Sequence, residues 1–336
     1  MRKYRFVDLF SGIGGTRIAF EPCGDCVYSC EIDEDAREAY ARNWGEEPTE
    51  TDIRNIERPG EEIPDHDILL ACWPCPSFSR FGKKDGLNDD RGMLFYEISD
   101  ILKVKQPKAF MLENVKNLRF VNDGDAYKTV VSELEDAGYS VFSEVLNALN
   151  FGVPQHRERL IIVGFRDDLA PEEGEFELPT ENPDALKTEE EQRQALANLL
   201  GDDPDEKYEA SDKIIQDRRD AIENPSQVPE PSVWHENRAG RIKPRPYSSA
   251  LRASSSWNYI LVNGHRHPTV RELLRLQGFP EWFEIDEGNQ SRARKLTGNT
   301  VPVPAIREVA KAIALELGTL TAKSKERSTA VGTVSD

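Results

Sequence analysis

The chain has 336 residues and a formal net charge of −18, from 43 basic and 61 acidic side chains, and 38% of its residues are hydrophobic. It contains no apolar run of about 18 residues, which argues against a membrane-spanning helix, and its N-terminus lacks a secretory signal pattern. Five cysteines, an odd number in a chain of ordinary core size, argue against a disulfide framework. We expect a soluble cytoplasmic protein with one large and one smaller domain.

The negative charge is unevenly distributed along the chain. Residues 167–236 contain 22 acidic and six basic side chains, whereas residues 237–275 contain eight basic side chains and a single acidic one, Glu272. A basic segment beside an acidic one is typical of a DNA-facing surface on an acidic protein. The acidic run by itself is more simply explained as a solvated surface. The composition also suggests the acidic proteome of a salt-rich cytoplasm.

In chain order, the first 165 residues alternate apolar segments of strand length with helical patterns. The predicted strands are residues 4–10, 26–32, 67–72, 109–115, 141–148 and 160–165, and the predicted helices are 16–20, 34–43, 93–104 and 126–137. This alternation predicts an α/β fold with a doubly wound, mostly parallel sheet. Ligands of such sheets bind outside the carboxyl ends of the strands.

Beyond residue 165 the pattern changes to a sequence rich in Pro, Glu and Asp, with one helical stretch at 189–200. Helical periodicity returns at 269–277 and 303–317. We therefore predict a first domain over residues 1–166, an inserted domain over 167–264 and a return to the first domain over 265–317. Residues 318–336 are small and polar and are predicted to be a disordered tail.

A glycine-rich turn follows the first predicted strand, with Gly12, Gly14 and Gly15 in the run DLFSGIGG. Glycines in such a turn let the backbone approach a ligand closely. Glu31, at the end of the second strand, is placed to accept hydrogen bonds from ribose hydroxyls. A further strand is expected to end near Asp52, whose carboxylate would receive an adenine amino group. Together these features favour an adenosyl ligand over ordinary turn glycines and solvated carboxylates.

Cys75 lies between Pro74 and Pro76, just after the strand predicted at 67–72. Two prolines stiffen the backbone around this thiol at the ligand-binding edge of the sheet, which favours a nucleophile. Most free cysteines are instead buried packing residues, and this is our interpretation of Cys23, Cys30 and Cys72. The loop from 80 to 91 contains glycines and polar residues and is suited to move over a substrate.

The neighbouring strand ends with Glu113, and a buried glutamate beside a nucleophile can have a raised pKa and act as an acid. Gln155, Arg157 and Arg159 precede the strand predicted at 160–165. In an extended segment their side chains share one face. Their donors would neutralise an oxyanion or hold the edge of a base.

These motifs together resemble the S-adenosylmethionine-dependent C5-cytosine DNA methyltransferase family. They are FSGIGG (10–15), the Pro74-Cys75 pair, ENV (113–115), QxRxR (155–159), RExxRLQGFP (271–280) and GNTVP (298–302), in the order that the family has. Each motif alone is modest evidence, but six in order are not expected by chance. The resemblance covers residues 4–317 except for the inserted domain, and it implies a Rossmann-like class I methyltransferase fold.

The resemblance also implies roles for individual residues. Cys75 matches the nucleophile, Glu113 the group that engages cytosine N3 and Arg159 the contact to cytosine O2, with Gln155 and Arg157 completing the catalytic set. The cofactor positions are Phe10, Gly12, Ile13, Gly14, Gly15, Glu31, Ile32, Asp52, Ile53, Pro74, Leu94, Asn299 and Thr300. The inserted domain corresponds to the target-recognition region.

The partner implied is double-stranded DNA, with a cognate restriction endonuclease acting separately and the methyltransferase itself a monomer. We predict that the following side chains contact DNA: Ser79, Arg91, Arg238, Arg241, Lys243 and Arg245. Many family members carry Gln after the nucleophile. Pro76 at this position puts the stabilisation of the opened duplex in doubt but leaves the thiol chemistry intact.

Three other interpretations stay open at this stage. Cys23, Cys26 and Cys30 suggest a metal, but zinc normally has four ligands and no fourth is nearby in the sequence, so no metal site is predicted. The same chemistry on tRNA is the second enzyme hypothesis, and an inserted domain of this size favours DNA over it. A DNA-binding protein without catalysis is the third, and retention of Cys75, Glu113, Arg159 and Asn299 argues against it.

Overall fold

The computed structural model describes residues 4–74, 93–172, 174–201 and 204–331, with side chains as far as 320. Its largest element is a six-stranded sheet. The strands are β1 (Tyr4–Leu9), β2 (Gly24–Cys30), β3 (Ile68–Ala71), β4 (Ala109–Val115), β5 (Tyr139–Asn147) and β7 (Glu158–Arg166), in the order β2-β1-β3-β4-β7-β5. β6 (Gln155–His156) lies just before β7 and outside this sheet. The mostly parallel α/β fold predicted from the sequence is confirmed, and the six strands lie within two residues of their predicted bounds.

β7 runs antiparallel to both of its neighbours, β4 and β5, whereas β1, β2, β3 and β4 pair in parallel. The beginning of an antiparallel strand lies at the same edge of the sheet as the ends of the parallel strands. The register accordingly places Arg159 opposite Val115 and Ile161 opposite Glu113. The QxRxR segment lies at the beginning of β7, and the antiparallel direction of β7 therefore places it at the ligand-binding edge.

Helices cover both faces of the sheet because buried residues alternate along each strand. On β4, Met111 belongs to the core shared with α1 (Gly15–Phe20) and α10 (Val303–Val331). Its neighbours Phe110 and Leu112 belong to the core shared with α4 (Leu94–Lys105) and α5 (Asp125–Asp136). The remaining helices beside the sheet are α2 (Glu34–Trp44) and α3 (Pro59–Glu62).

α2 begins where its sequence predicts. Asp33 is extended and its carboxylate accepts a hydrogen bond from Ala36 N, which satisfies one of the free N–H groups of the first turn. The helix ends at Gly45, whose φ of 71° lies in the left-handed region that glycine adopts easily. This capping fixes the position of the β2–α2 connection, which contains Glu31 and Ile32.

The strand expected to end near Asp52 is absent. The backbone there makes only an isolated bridge between Cys30 and Glu50. Asp52 instead starts a short 3-10 helix, Ile53–Asn55, because its carboxylate accepts a hydrogen bond from Arg54 N. Local capping by an aspartate therefore competes successfully with strand extension.

The smaller lobe is built on a three-stranded antiparallel sheet. Its strands are β8 (Val233–Glu236), β9 (Ile242–Arg245) and β11 (Ile260–Val262), in the order β11-β8-β9, with α6 (Glu189–Leu199) and α7 (Asp212–Asp220) beside them. β10 (Ser248–Ser249) pairs with β6 and joins this lobe to the larger domain. Two helices follow the lobe in the sequence, α8 (Val270–Arg275) and α9 (Gln290–Asn299).

The division between the two cores differs from the boundaries predicted at 166 and 264. Phe176 packs against Phe142 and Phe165 in the large core. Conversely, Leu273 and Leu276 of α8 belong to the small core of the lobe. The inserted segment therefore contributes an apolar side chain to the large core, and the returning segment contributes apolar side chains to the small one.

The boundary predicted at 318 falls within α10, which continues to Val331, and the disordered tail stays a prediction. The segment beyond Leu317 contains Leu, Ala, Lys, Glu and Arg, which favour helix, and no proline. Residues 332–336 lie outside the described part of the chain. Among the described residues, no helix combines the length and the apolar character needed to cross a membrane.

Candidate active site

The glycine-rich turn after β1 is held in a conformation that few residues adopt. Phe10, Gly12 and Gly14 all have positive φ, at 58°, 54° and 83°. Because Phe10 is not a glycine, its conformation is strained, and such strain concentrates at functional sites. Gly14 N donates a hydrogen bond to Ser11 O at 2.8 Å, which closes the turn.

The glycines of this turn serve different contacts. A Cβ at Gly14 would meet the ring of Trp44 at 2.2 Å, and one at Gly15 would meet Thr300 Oγ1 at 2.5 Å. A Cβ at Gly12 would meet nothing within 4 Å. Gly14 and Gly15 are therefore required by protein packing, and the backbone at Gly12 faces open space where a ligand can approach. Ile13 is buried in the core below the turn.

Glu31 joins the turn to the end of β2. One carboxylate oxygen accepts a hydrogen bond from Gly12 N and the other from Asp33 N, both at 2.7 Å. Burial raises the pKa of Glu31, opposed by these two hydrogen bonds. Each oxygen keeps a further lone pair, so the carboxylate can still accept hydrogen bonds from a ribose.

Apolar surface surrounds this carboxylate. Ile32 follows Glu31 directly and is 60% exposed, although isoleucine is usually buried. Phe10, Pro74 and Leu94 are half-buried, and Ile53 is buried. A turn open at Gly12, a buried carboxylate and an exposed apolar side chain suit a ligand with ribose hydroxyls and a flat apolar ring.

Three other cofactor candidates have different surroundings. Both carboxylate oxygens of Asp52 accept hydrogen bonds from the Arg54 guanidinium, so this side chain already has a partner. Thr300 is buried against Gly15, whereas Asn299 is exposed at the end of α9. Thr300 therefore packs beneath the glycine turn rather than facing open space.

A buried ion pair lies on the same edge of the sheet, between β4 and β7. Arg159 Nε is 2.8 Å from Glu113 Oε1, and both side chains are largely buried. Burial raises the pKa of Glu113 and outweighs the opposing effects of Arg159 and Arg157. The pair thus combines a carboxyl group able to hold a proton with a guanidinium that has further donors.

Asn114 connects this ion pair to the segment that follows β3. Its Nδ2 donates to Trp73 O at 3.2 Å, and its Oδ1 accepts from Val115 N at 2.8 Å. Trp73 is buried, so the backbone that enters Pro74 is fixed beside β4. Cys75, Ser79 and Arg91 lie outside the described residues. Sequence reasoning missed Asn114, although its place beside Glu113 in the ENV motif was a usable signal.

Gln155 and Arg157 form their hydrogen bonds away from Glu113, whereas Arg159 pairs with it directly. Gln155 is buried, and its side chain bonds to Leu276 O, Gln277 Oε1 and Leu251 N. The strand pairing is interrupted at Arg157 between β6 and β7, so the alternation does not continue into β7.

Arg157 donates to three backbone carbonyls: Leu251 O at 2.9 Å, Gly298 O at 3.1 Å and Thr300 O at 2.5 Å. Burial and the charge of Arg159 lower its pKa. The hydrogen bonds of Gln155 and Arg157 thus connect the QxRxR segment to the smaller lobe and to the returning segment, while the charge of Arg157 still acts on Glu113.

The predicted DNA-contacting side chains of the lobe cluster on one hairpin. Arg238, Arg241 and Lys243 are exposed at or near the turn between β8 and β9. Asn237 Oδ1 fixes this turn by accepting from Ala239 N at 2.9 Å and Arg241 N at 3.1 Å. Arg245 is half-buried and donates to Tyr247 Oη.

The three cysteines of the metal interpretation do not converge. Cys26 packs against one core of the sheet and Cys30 belongs to the other, so they lie on opposite faces of β2. Cys23 is buried in the same core that Cys26 contacts. Within the described ranges no group of three potential ligands is close enough to hold a metal ion.

Comparisons with known proteins agree with this geometry. The family model for C-5 cytosine-specific DNA methylase matches residues 4–315. The type II methyltransferases M.NgoBI of Neisseria gonorrhoeae and M.HaeII of Haemophilus aegyptius are each 46% identical to the chain. The alignments cover 93% of both chains for M.NgoBI and 96% of both for M.HaeII.

Solved structures support the fold. The Entamoeba histolytica methyltransferase EhMeth has a TM-score of 0.67 at 18% identity, and the match covers 94% of this chain and 99% of that one. A putative DNA modification methyltransferase from an E. coli prophage has a TM-score of 0.66 at 18% identity, with coverage of 94% and 99%. The chain therefore belongs to the C-5 cytosine-specific DNA methylase family and is a DNA cytosine-5 methyltransferase that uses S-adenosylmethionine.

Proposed function

We propose that this enzyme methylates a cytosine flipped out of a specific short duplex sequence, through a covalent bond between Cys75 Sγ and carbon 6 of the base. The observation that carries the proposal is the buried Glu113–Arg159 pair. Glu113 lies on β4, the neighbour of the strand β3 that leads into Pro74 and Cys75, and Asn114 holds β4 to the segment after β3. A base bound at this edge would meet an acid, a guanidinium and a thiol.

The chemistry needs a nucleophile because carbon 5 of cytosine is not electron-rich enough to attack a methyl donor. Addition of the Cys75 thiolate to carbon 6 moves the electron pair of the 5,6 double bond toward carbon 5. Glu113 donates a proton to N3 and so neutralises the negative charge that this addition would leave on the ring. Arg159 has N–H groups beyond the one paired with Glu113, and these donate to cytosine O2.

S-adenosylmethionine supplies an electrophilic methyl group on a sulfonium. Once carbon 5 has accepted this methyl group, a base removes its proton and the 5,6 double bond re-forms with expulsion of the Cys75 thiolate. The proton on N3 returns to Glu113, so both side chains are restored. Each step is easier than direct methylation of the aromatic ring.

The cytosine must leave the duplex because its ring atoms are inaccessible within the stack, at a cost of a few kcal/mol. We propose that the hairpin formed by β8 and β9 reads the surrounding sequence in the major groove, where arginine pairs with guanine. The named relatives are type II methyltransferases. By analogy we propose that this chain acts in the cytoplasm as a monomer within a restriction-modification system, beside a separate endonuclease.

The replacement Cys75→Ala tests the covalent mechanism. The wild-type enzyme should transfer tritium-labelled methyl groups to unmethylated DNA and form a denaturant-stable complex with 5-fluorocytosine DNA, because the fluorine on carbon 5 cannot leave as a proton does. Cys75→Ala should do neither, whereas Cys26→Ala, which removes a thiol from the core edge, should do both. The assays are run at low and at multimolar potassium chloride.

A trapped complex with Cys75→Ala would disprove the proposed adduct. Label on tRNA and none on DNA at either salt concentration would contradict the proposed substrate. Bisulfite sequencing of the labelled DNA then identifies the sequence that is methylated.

The pH dependence of methyl transfer tests Glu113. The protonated carboxyl is the active form, so the single-turnover rate should fall as pH rises through the pKa of Glu113, which burial raises above its ordinary value. Glu113→Gln should lose this falling limb and be about 10²- to 10⁴-fold slower. Glu135→Gln, on the exposed face of α5, is the control. A falling limb that persists in Glu113→Gln would assign it to another group.

The exposed side chain of Ile32 tests the cofactor surface. Ile32→Ala removes apolar surface that we expect the cofactor to cover, and should weaken S-adenosylmethionine binding about tenfold. Leu315→Ala removes a similar side chain, 74% exposed on α10. Isothermal titration should show no change for that control. Equal affinities of the wild type and Ile32→Ala would place the cofactor elsewhere.

The hairpin is tested by replacing Arg238, Arg241, Lys243 and Arg245 together with alanine. We expect DNA affinity to fall at least tenfold and the preference for the methylated sequence over unrelated DNA to diminish, because base contacts are lost with the charge. The control removes the same charge from other surfaces, at Arg58, Lys103, Lys128 and Lys311. Unchanged affinity and preference in a filter-binding assay would refute this role.

A further inference from the structure

Most of the buried or half-buried arginines at the junction of the two lobes have a carboxylate partner. Arg218 pairs with Glu236 and Arg266 with Glu272. On α9, Arg292 pairs with Asp35 and Glu38. These arginines are therefore neutralised within the protein.

Arg252 and Arg294 differ from them. Both are half-buried, and in the described parts of the chain neither guanidinium has a carboxylate within ion-pair distance or a hydrogen-bond acceptor. Each is instead placed over an aromatic ring: Arg252 Cζ is 4.7 Å from the centre of Tyr259, and Arg294 Cζ is 4.0 Å from the centre of Trp257.

The guanidiniums of Arg252 and Arg294 both lie near Tyr259. Trp257 and Tyr259 belong to a single 3-10 turn, and both rings line one small cavity together with Arg294. Gly298, one helical turn after Arg294, touches the backbone of the loop that contains Arg252, since a Cβ there would be 2.4 Å from Ala253 N. The lobe and α9 thus meet at this contact with an arginine on each side.

A positive charge that is partly removed from water and has no counter-charge is unfavourable. Burial lowers the pKa of Arg294, which reflects this cost. Arg157 lies close to the same tyrosine and its partners are neutral carbonyls. The chain has 61 acidic and 43 basic side chains, yet none of the carboxylates in its described ranges pairs with either arginine. The arrangement fits an anion that comes from outside the protein.

The surrounding groups favour a phosphate. The ring beneath each guanidinium restricts its orientation, and the buried Nε has no hydrogen-bond partner among the described residues. The terminal N–H groups of arginine are well suited to binding phosphate oxygens. The loop between the two arginines contains Ser254, Ser255 and Ser256, of which Ser254 and Ser256 are exposed. Serine hydroxyls are common donors to DNA phosphates.

We infer that Arg252 and Arg294 form a binding site for a backbone phosphate of the DNA strand that contains the target cytosine. The inference rests on the proposed function for its ligand. Arg157 fixes its location, because it bonds to Leu251 and Gly298 on the two sides of the junction and is two residues from Arg159. The phosphate site therefore adjoins the base pocket, and it anchors the strand while the base is extruded.

The test is the salt dependence of DNA affinity. Each phosphate contact contributes about 0.9 to the slope of log affinity against log salt concentration. Arg252→Gln and Arg294→Gln should each reduce this slope by about 0.9 and lower affinity about tenfold near 0.1 M salt, equally for target and unrelated DNA. Arg58→Gln removes the same charge from an exposed pair far from the site and should leave the slope unchanged.

Two further measurements separate phosphate binding from a structural role. Arg252→Lys and Arg294→Lys keep the charge and should restore the slope, whereas the thermal midpoint and S-adenosylmethionine affinity of all variants should match the wild type. A slope unchanged in both glutamine variants overturns the inference while the proposed function stands. Loss of S-adenosylmethionine binding in place of the slope change also overturns it. A wild-type enzyme that binds no DNA overturns both.

Discussion

The guanidinium of Arg157 connects three parts of the chain that are distant in sequence. Its hydrogen bonds reach Leu251 in the smaller lobe and Gly298 and Thr300 in the returning segment, while its own backbone leads into β7. A hydrogen bond to a charged group contributes about 1.5–3 kcal/mol, and leaving a buried carbonyl without a donor costs a similar amount. Together with the Gln155 bonds and the pairing of β6 with β10, this side chain links the smaller lobe to the glycine turn, since Thr300 packs directly against Gly15.

The antiparallel direction of β7 is the second constraint. Parallel strands alone would bring Glu31 and Glu113 to one edge, but a strand that enters at that edge is needed to supply Arg159. The pair that results is buried, and an isolated charge there would be strongly disfavoured. Burial also raises the pKa of Glu113. The packing that makes an ion pair necessary therefore also favours the protonated form of this carboxyl group.

The local charge at the junction of the two lobes differs in sign from the net charge of the whole chain. The chain as a whole is strongly acidic, yet cations without a carboxylate partner in the described residues occur where the two lobes meet. Because acidic surface repels DNA, this distribution favours the DNA contacts proposed at the junction and at the hairpin of the smaller lobe. The arginines of that junction that do have partners, such as Arg266 with Glu272, hold the lobe together instead.

The sequence by itself determined the sheet, the glycine turn, Glu31 and the family, because alternation, glycine geometry and ordered motifs are local properties. It failed at Asp52, where a side-chain cap replaced the expected strand. Only the tertiary structure separated Arg157 from Arg159, because the break between β6 and β7 turns one inward to backbone carbonyls and leaves the other beside Glu113. It alone also distinguished Arg252 and Arg294 from their paired neighbours, since the presence of a counter-charge depends on residues distant in the sequence.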